Sequence, residues 1–132
     1  MAFGNLKFDT LTTSDSKNTS TEKSLDTSYI FNGSAKQWVL LQSNGTSVTD
    51  SFNNTSVTDN GTGDYTLTRT NNMANATYCA IGSSGDNSTT FNVCSDVGEQ
   101  TTSVHDIRCV NDAANATTDV PDTVSTVHGD VA

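Results

Sequence analysis

The seven residues from Asp59 to Tyr65, DNGTGDY, carry the strongest turn signal in the chain. Asn60-Gly61 supplies two residues that tolerate positive φ, and Gly63 follows two positions later. The segments on either side, Thr55–Thr58 and Tyr65–Thr70, are rich in β-branched or aromatic residues. This pattern predicts a β-hairpin, and it favours a fold built from antiparallel strands for the rest of the chain.

Short strand-like segments separated by polar turns recur along the sequence. The predicted strands are Lys36–Gln42, Val48–Phe52, Thr77–Ile81, Thr89–Cys94, Val104–Val110 and Thr123–Val127. In the first of them, Trp38 and Leu40 alternate with two other apolar residues, which predicts a strand covered on both faces. The segment Gly82–Asp86 is predicted to end the third strand, Thr77–Ile81. Together these features predict an all-β fold, an antiparallel β-sandwich of jelly-roll-like type.

The apolar content limits the core that one chain can build. Leu, Ile, Val and Phe together are 25 of the 132 residues, whereas Thr, Ser and Asn make up about two fifths. With a net charge of −9 this composition approaches that of disordered chains, but only 16% of residues are charged and there is one proline. We therefore expect a folded β protein with a small core, shared between identical copies in an obligate oligomer.

The charge is distributed unevenly. Residues 1–36 are neutral in sum, whereas residues 37–132 hold Arg69 and Arg108 against eleven acidic residues and carry the whole net charge. This asymmetry has two interpretations, a charge that serves solubility alone and a domain held outward while the neutral N-terminus docks. On the second, residues 1–36 are an N-terminal docking arm and linker and residues 37–132 an antiparallel β-domain. An acidic domain repels phosphates, so we expect no nucleic-acid partner. No apolar run reaches transmembrane length and the first residues lack the apolar core of a signal peptide, so we expect no membrane insertion.

Residue types that carry enzyme chemistry are sparse. The chain has two histidines, His105 and His128, and no Gly-x-Ser-x-Gly elbow. Three cysteines stand fifteen residues apart without a Cys-x-x-Cys pair, which is typical of core thiols: Cys79, Cys94 and Cys109. We predict no catalytic residue, no metal ligand and no cofactor. A surface calcium ion at the acidic residues of the Asp59–Tyr65 turn is left open, although the loop lacks the ligand spacing of an EF-hand.

Four segments upstream of Cys79 form a recognisable set. They are Leu6–Leu11, Tyr29–Trp38, the pair Asp50–Asn53 and Val57–Thr66, which form one motif, and Asn72–Tyr78. This set resembles small structural proteins of marine bacteriophages, which are described as tail fibre, head fibre or virion structural proteins. The resemblance extends from Leu6 to about Tyr78 and weakens after it. It implies a trimeric, β-rich virion protein with an extended N-terminal attachment segment.

Three residues depart from the pattern of that group. Arg69 stands where the pattern has an apolar residue, and His105 with Asp106 interrupts the alternation of a late strand. Because these departures fall in the later part of the domain, no receptor-contact residue is transferred from the group to this chain.

The expected function is that of a non-enzymatic bacteriophage virion structural protein. It would be a capsid-surface decoration or cement protein, or a short head fibre, docked by its N-terminus with the acidic β-domain outward. The candidate docking residues are the apolar residues of the arm: Phe3, Leu6, Phe8 and Leu11. The expected partners are other copies, as a homotrimer, and the major capsid protein or another virion protein.

The alternative is a tail fibre or receptor-binding adhesin that contacts host surface glycan or protein. Its receptor-contact residues are unknown, with Tyr78 and the loops 83–88 and 111–122 as the regions to consider. The location of the protein within the virion distinguishes the two functions.

Overall fold

A computed structural model describes residues 10–13, 23–42, 45, 47–85, 93–111 and 116–132. The elements are β1 Thr10–Thr13, β2 Lys23–Asp26, α1 Thr27–Gly33, β3 Gln37–Gln42, β4 Ser47–Phe52, β5 Asn54–Gly61, β6 Asp64–Arg69, β7 Cys79–Gly85, β8 Val93–Gln100, β9 Val104–Asn111, β10 Ala116–Thr117 and β11 Asp122–His128. The chain divides into two compact units, with the boundary between Ser34 and Ala35.

The first unit contains an antiparallel pair, β1 and β2, followed directly by α1. Asp26 begins the helix, because its Oδ1 accepts a hydrogen bond from the Ser28 amide at 2.8 Å. That bond lowers the pKa of the Asp26 carboxyl. None of the α1 residues is buried, and Tyr29 and Phe31 are 70% and 66% exposed. The sequence predicts a docking arm and linker for residues 1–36 and, within residues 13–28, a short helical turn or a linker, so the position of this helix at Thr27–Gly33 was not predicted.

The second unit contains two antiparallel sheets. One has the strand order β4-β3-β11-β7, and the other runs β10-β9-β6-β5 with β8 also paired to β9. Because Ile107 of β9 pairs with both Tyr65 of β6 and Val97 of β8, these two strands lie on opposite edges of β9. The sheets pack together, so the predicted all-β antiparallel sandwich is confirmed.

The hydrophobic core lies between the two sheets and falls into two clusters. The larger cluster consists of Val39, Leu41, Tyr65, Leu67, Ile107, Cys109 and Val120, with Val57 packed against it. The smaller one consists of Met73, Tyr78 and Val127. Buried polar side chains occupy further positions in the interior: Gln37, Arg69, His105, Thr123 and Ser125. One chain therefore builds a small core that includes several polar groups.

The hairpin predicted at Asp59–Tyr65 is present. β5 pairs with β6, and Gly61 lies opposite Asp64. Gly63 has a φ of +64°, and a Cβ atom there would lie 2.4 Å from the Thr118 carbonyl oxygen. Glycine is therefore required at this position both for the backbone angle and for close approach to a neighbouring segment.

A single residue, Asn53, joins β4 to β5 and thereby joins the two sheets. Its φ of +54° lies in the left-handed region, which asparagine tolerates better than most residues. Its Nδ2 donates to the carbonyls of Lys36 and Asn71 at 2.8 and 3.1 Å, and its Oδ1 accepts from the Asn71 amide at 2.7 Å. These bonds fix the corner without a loop.

Strand β7 extends further than the sequence indicated. The predicted end of the strand at Gly82–Gly85 is wrong, because β7 pairs with β11 along its whole length, from Cys79 opposite His128 to Gly85 opposite Asp122. Hydrogen bonds to a neighbouring strand here outweigh the turn preference of small residues. Residues 89–92 of the next predicted strand lie outside the described residues, and β8 begins at Val93.

Candidate interaction surface

The outer side of the four-stranded sheet is apolar across its centre. Trp38, Leu40, Ile81 and Val124 line a groove of about 240 Å³. Trp38 is 38% exposed, Ile81 54% and Val124 44%, and Phe52, which lies opposite Trp38, is 53% exposed. We call these five residues the outer apolar face. Contiguous exposed apolar side chains of this kind mark contact sites on protein surfaces.

The inner sides of β11 and β7 carry mostly small or polar side chains. On β11, Thr123 and Ser125 are buried while Val124 is exposed. On β7, the inward-facing positions hold Ala80 and then glycine and serine, while Ile81 points outward. The usual distribution, with the larger apolar residues inside, is thus reversed on β7 and from Thr123 to Ser125 of β11, whereas Val127 of β11 is buried in the core.

This reversal bears on the prediction for β3. Val39 and Leu41 are 2% and 0% exposed, so the inner face of the strand is covered as expected. Trp38 and Leu40 on the other face are not covered within one chain, since Trp38 is partly exposed and Leu40 is only half-buried. The prediction of a strand covered on both faces is therefore wrong for the single chain. The alternation of small and large residues at Ala80 and Ile81 is the sequence signal that could have pointed to the outer apolar face.

A buried polar network connects the two sheets. Arg69, 4% exposed, donates from Nη2 to His105 Nδ1 at 3.0 Å, and His105 Nε2 lies 3.0 Å from Ser125 Oγ. The guanidinium also lies 4.4 Å from the centre of the Tyr78 ring, in a cation–π contact. Arg69 and His105, which depart separately from the sequence pattern of the group, therefore contact each other in the interior.

The protonation of His105 decides what this network can do. A guanidinium is a donor only, so Nδ1 of His105 must accept, and the ring proton of the neutral form then sits on Nε2. Nε2 consequently donates to Ser125, whereas activation of a serine nucleophile would require that nitrogen to accept. Burial, and next the charge of Arg69, lowers the pKa of His105 to about 4. Ser125 and His105 thus lie as close together as a catalytic serine and histidine, but here the histidine donates the hydrogen bond instead of accepting it.

The acidic residues of the Asp59–Tyr65 turn are engaged in local contacts. Asp59 Oδ1 accepts from the Gly61 amide at 2.9 Å, and Asp64 Oδ2 forms an ion pair with Arg108 Nε at 3.1 Å. Within the described part of the chain, no group of three or more His, Cys, Asp or Glu residues could hold a metal ion. The turn therefore stabilises the fold through its own hydrogen bonds.

Tyr65, which ends this turn, is fully buried and connects it to a later segment. Its hydroxyl donates to Asp119 Oδ1 at 3.2 Å, and the same oxygen accepts from the Gly63 amide at 2.7 Å. Burial, and next the Asp119 carboxylate, raises the pKa of the Tyr65 hydroxyl.

The candidate docking residues lie mostly beyond what the structure describes. Phe3, Leu6 and Phe8 lie outside the described residues, and Leu11 lies in β1 opposite Leu25. Their role in docking stays a prediction.

Tyr78 does not suit the receptor contact considered for it. Its side chain is 8% exposed, and its hydroxyl lies 3.0 Å from the carbonyl oxygens of both Thr101 and Val104. The suggestion is wrong because the ring packs beneath Arg69 in the smaller core cluster.

The cysteines divide by position. Cys109 is buried, as predicted for a core thiol, and its Sγ lies 3.3 Å from Thr123 Oγ1. Cys79 is exposed, so the prediction of a core thiol is wrong for it. The reason is alternation, since Cys79 and Ile81 share the outward side of β7.

Comparison of the chain with protein-family models, curated proteins and solved structures gives no match. Membership of a bacteriophage family therefore stays a prediction from the four sequence segments. No helix among the described residues is long and apolar enough to cross a membrane.

Proposed function

We propose that the protein is a non-enzymatic structural protein of a bacteriophage particle, acting on the capsid surface as a decoration or cement protein or as a short head fibre. The observation that carries the contact role is the outer apolar face, an uncharged surface on a chain with a net charge of −9. A surface that combines aromatic and aliphatic side chains suits protein partners. The bacteriophage assignment is supported by the resemblance of segments such as Tyr29–Trp38 and Val57–Thr66.

The polar network adds support for a role without catalysis. Ser125 accepts from a histidine whose proton is already on the facing nitrogen, and both residues are buried. A buried hydrogen-bonded network of this kind contributes to a single well-defined packing of the sheets.

In this proposal the N-terminal arm docks the protein on the capsid. Residues 1–36 are neutral in sum, so they can approach another virion protein without the repulsion that the acidic residues 37–132 would meet at an acidic surface. The docking residues would be Phe3, Leu6, Phe8 and Leu11, because apolar side chains supply most of the free energy of such contacts.

The test is to locate the protein in particles of the phage that encodes it. Purified particles are digested for mass spectrometry and imaged by cryo-electron microscopy with symmetry averaging. We expect peptides of this chain in the particle and density for a small β-sandwich above the capsomers. A variant with Phe3, Leu6, Phe8 and Leu11 replaced by serine should be absent from particles while remaining folded in solution.

Two outcomes would contradict the proposal. Density confined to the tail would favour the alternative, an adhesin that contacts host glycan or protein. Absence of the chain from particles that contain all other structural proteins would reject both roles. The serine variant would argue against N-terminal docking if it were incorporated as well as the original chain.

A further inference from the structure

We propose that a second copy of this chain covers the outer apolar face, so that two sandwiches pack face to face about a two-fold axis. This inference deepens the proposed structural role and rests on it, since it names one partner that the contact surface takes. It concerns the sandwich unit, whose sheet β4-β3-β11-β7 carries the face.

The first argument is the distribution of side chains on the two sides of this sheet. Thr123 and Ser125 are inside while Val124 is outside, and Ala80 is inside while Ile81 is outside. A sheet that faces water on one side normally carries its polar residues there. At the centre of this sheet the larger side chains Ile81 and Val124 lie outside and, with the outward residues of β3, form a continuous apolar surface, so we infer that this centre is covered in the assembled state.

The second argument is charge. The residues that lie in register across the centre of the face are Phe52, Trp38, Thr126 and Ile81 in one row, and Asp50, Leu40, Val124 and Ser83 in the next. Asp50 is the only charged residue in these two rows. Eleven acidic residues lie in the 37–132 segment, so this face is where two copies can approach with little repulsion between like charges.

The ends of the face differ in charge, and this difference favours a two-fold arrangement. Asp122 pairs with Gly85 at the end nearer to Asp50. Lys36, whose amide donates to the Val127 carbonyl, lies at the other end with His128. In a face-to-face dimer whose two-fold axis runs across the strands, the acidic end of each copy faces the Lys36 end of the other, whereas an axis along the strands would bring the two acidic ends together. Asp130 follows in the tail segment, which pairs through its backbone with Ala74.

The third argument is size. Four strands about 4.8 Å apart and about six residues long at about 3.3 Å per residue span roughly 400 Å². With side-chain contours included, a face-to-face pair buries on the order of 1,000 Å² in total, which is near the lower limit for a specific interface. The expected dimer is therefore concentration-dependent, with dissociation in the micromolar range.

The test compares the full chain with variants by sedimentation velocity over a series of concentrations. Val124→Asp places a charge at the centre of the face and should weaken association about tenfold or more, because a buried unpaired carboxylate is costly. Val124→Thr keeps the shape of the side chain and should weaken association less. Phe31→Ser, which removes an exposed aromatic residue from α1, is the matched control and should leave association unchanged.

Trp38 provides a second measurement, because it is the only tryptophan and lies on the face. Its fluorescence should shift to the red as the dimer dissociates on dilution, and it should resemble that of the dissociated chain at all concentrations in Val124→Asp. Urea unfolding of both Val124 variants shows whether they retain the fold. Should Val124→Asp fail to fold, the proposal is decided by whether Val124→Thr associates more weakly than the original chain.

Each of the other outcomes overturns the proposal in a defined way. A full chain that sediments as a monomer at all concentrations excludes the second copy. Loss of association in Phe31→Ser but not in the Val124 variants assigns it to α1 instead. A trimer, as the sequence resemblance implies, excludes the two-fold pairing. None of these results bears on the presence of the protein in the virion, so failure here and failure of the proposed function are distinguishable.

Discussion

Protonation of His105 should make the fold sensitive to acid. In the folded chain its pKa is lowered to about 4, by burial first and by the charge of Arg69 next, compared with 6.5 for a solvated histidine. Above pH 6.5, His105 is neutral in both the folded and the unfolded chain, so it adds no pH dependence to the stability there. As the pH falls below 6.5, the histidine of the unfolded chain binds a proton that the folded chain does not bind. The free energy of unfolding therefore falls until, near pH 4, the histidine of the folded chain is protonated as well.

The size of this effect follows from the two pKa values. Each pH unit between them lowers the free energy of unfolding by about 1.4 kcal/mol, so the loss from about pH 7 to about pH 4 is about 3 kcal/mol. Since small domains are stable by roughly 5–15 kcal/mol, this is a large fraction of the total. Part of this effect is the repulsion that protonation creates between the imidazolium and the Arg69 guanidinium, whose atoms lie 3.0 Å apart and are both buried, so that solvent screens the pair weakly.

The assay is urea unfolding followed by Trp38 fluorescence at a series of pH values. His105→Gln is the matched variant, because its amide oxygen can accept from Arg69 and its amide nitrogen can donate to Ser125. The difference between the two proteins isolates the histidine from the carboxylates that titrate in the same range. Measurement at two protein concentrations separates any contribution from self-association. Equal losses of stability in both proteins between about pH 7 and about pH 4 would refute the assignment of a buried neutral histidine.

Three further outcomes are expected. Gly63→Ala should destabilise the fold by about 3 kcal/mol or more, because its Cβ would lie 2.4 Å from the Thr118 carbonyl oxygen. Gly61→Ala, where nothing lies within 4 Å, should cost only about 1–2 kcal/mol. Thermal or urea unfolding measures both, and equal losses would contradict the close approach at Gly63. Tyr65→Phe should lower the free energy of unfolding by about 1 kcal/mol through loss of the hydroxyl bond to a carboxylate, and no change would show that this bond is not made in solution. In the native chain, at concentrations low enough to keep it monomeric, a thiol reagent should modify Cys79 and spare Cys109, as read by peptide mass spectrometry, and rapid modification of Cys109 would contradict its burial.

The architecture was predictable from the sequence because strand patterns and turn chemistry are local. The glycine-rich segment Asp59–Tyr65 indicated the hairpin, although Asn60 and Gly61 end β5 and the turn itself is formed by Thr62 and Gly63. The alternation in β3 indicated that Val39 and Leu41 could share one face. The end of β7 was not predictable in this way, since the residues up to Gly85 have turn preferences and are held in a strand by hydrogen bonds to β11.

The interior network and the interaction surface depended on contacts between distant segments. Arg69 and His105 stand out in the sequence as interruptions of two patterns, but only the packing of the strands shows that they interact. Which side of β3 faces outward likewise depends on the position of the other sheet. One signal for the outer apolar face was present in the local sequence, namely the small residue Ala80 beside Ile81. An alanine on the inner side next to an isoleucine on the outer side is unusual in a sheet that faces water.

The corner at Asn53 has a consequence for how the length of this chain can vary. A loop between two sheets has slack that absorbs an added or lost residue, but one residue joins β4 to β5. Deleting this residue would shift the register of β5 by one residue, which moves every side chain of the strand to the opposite face and turns Val57 from the core toward solvent. The register of β3 and β4 would stay unchanged. The register of one sheet therefore determines that of the other at this corner. Natural variants of the chain should differ in length at the other turns but not at this one.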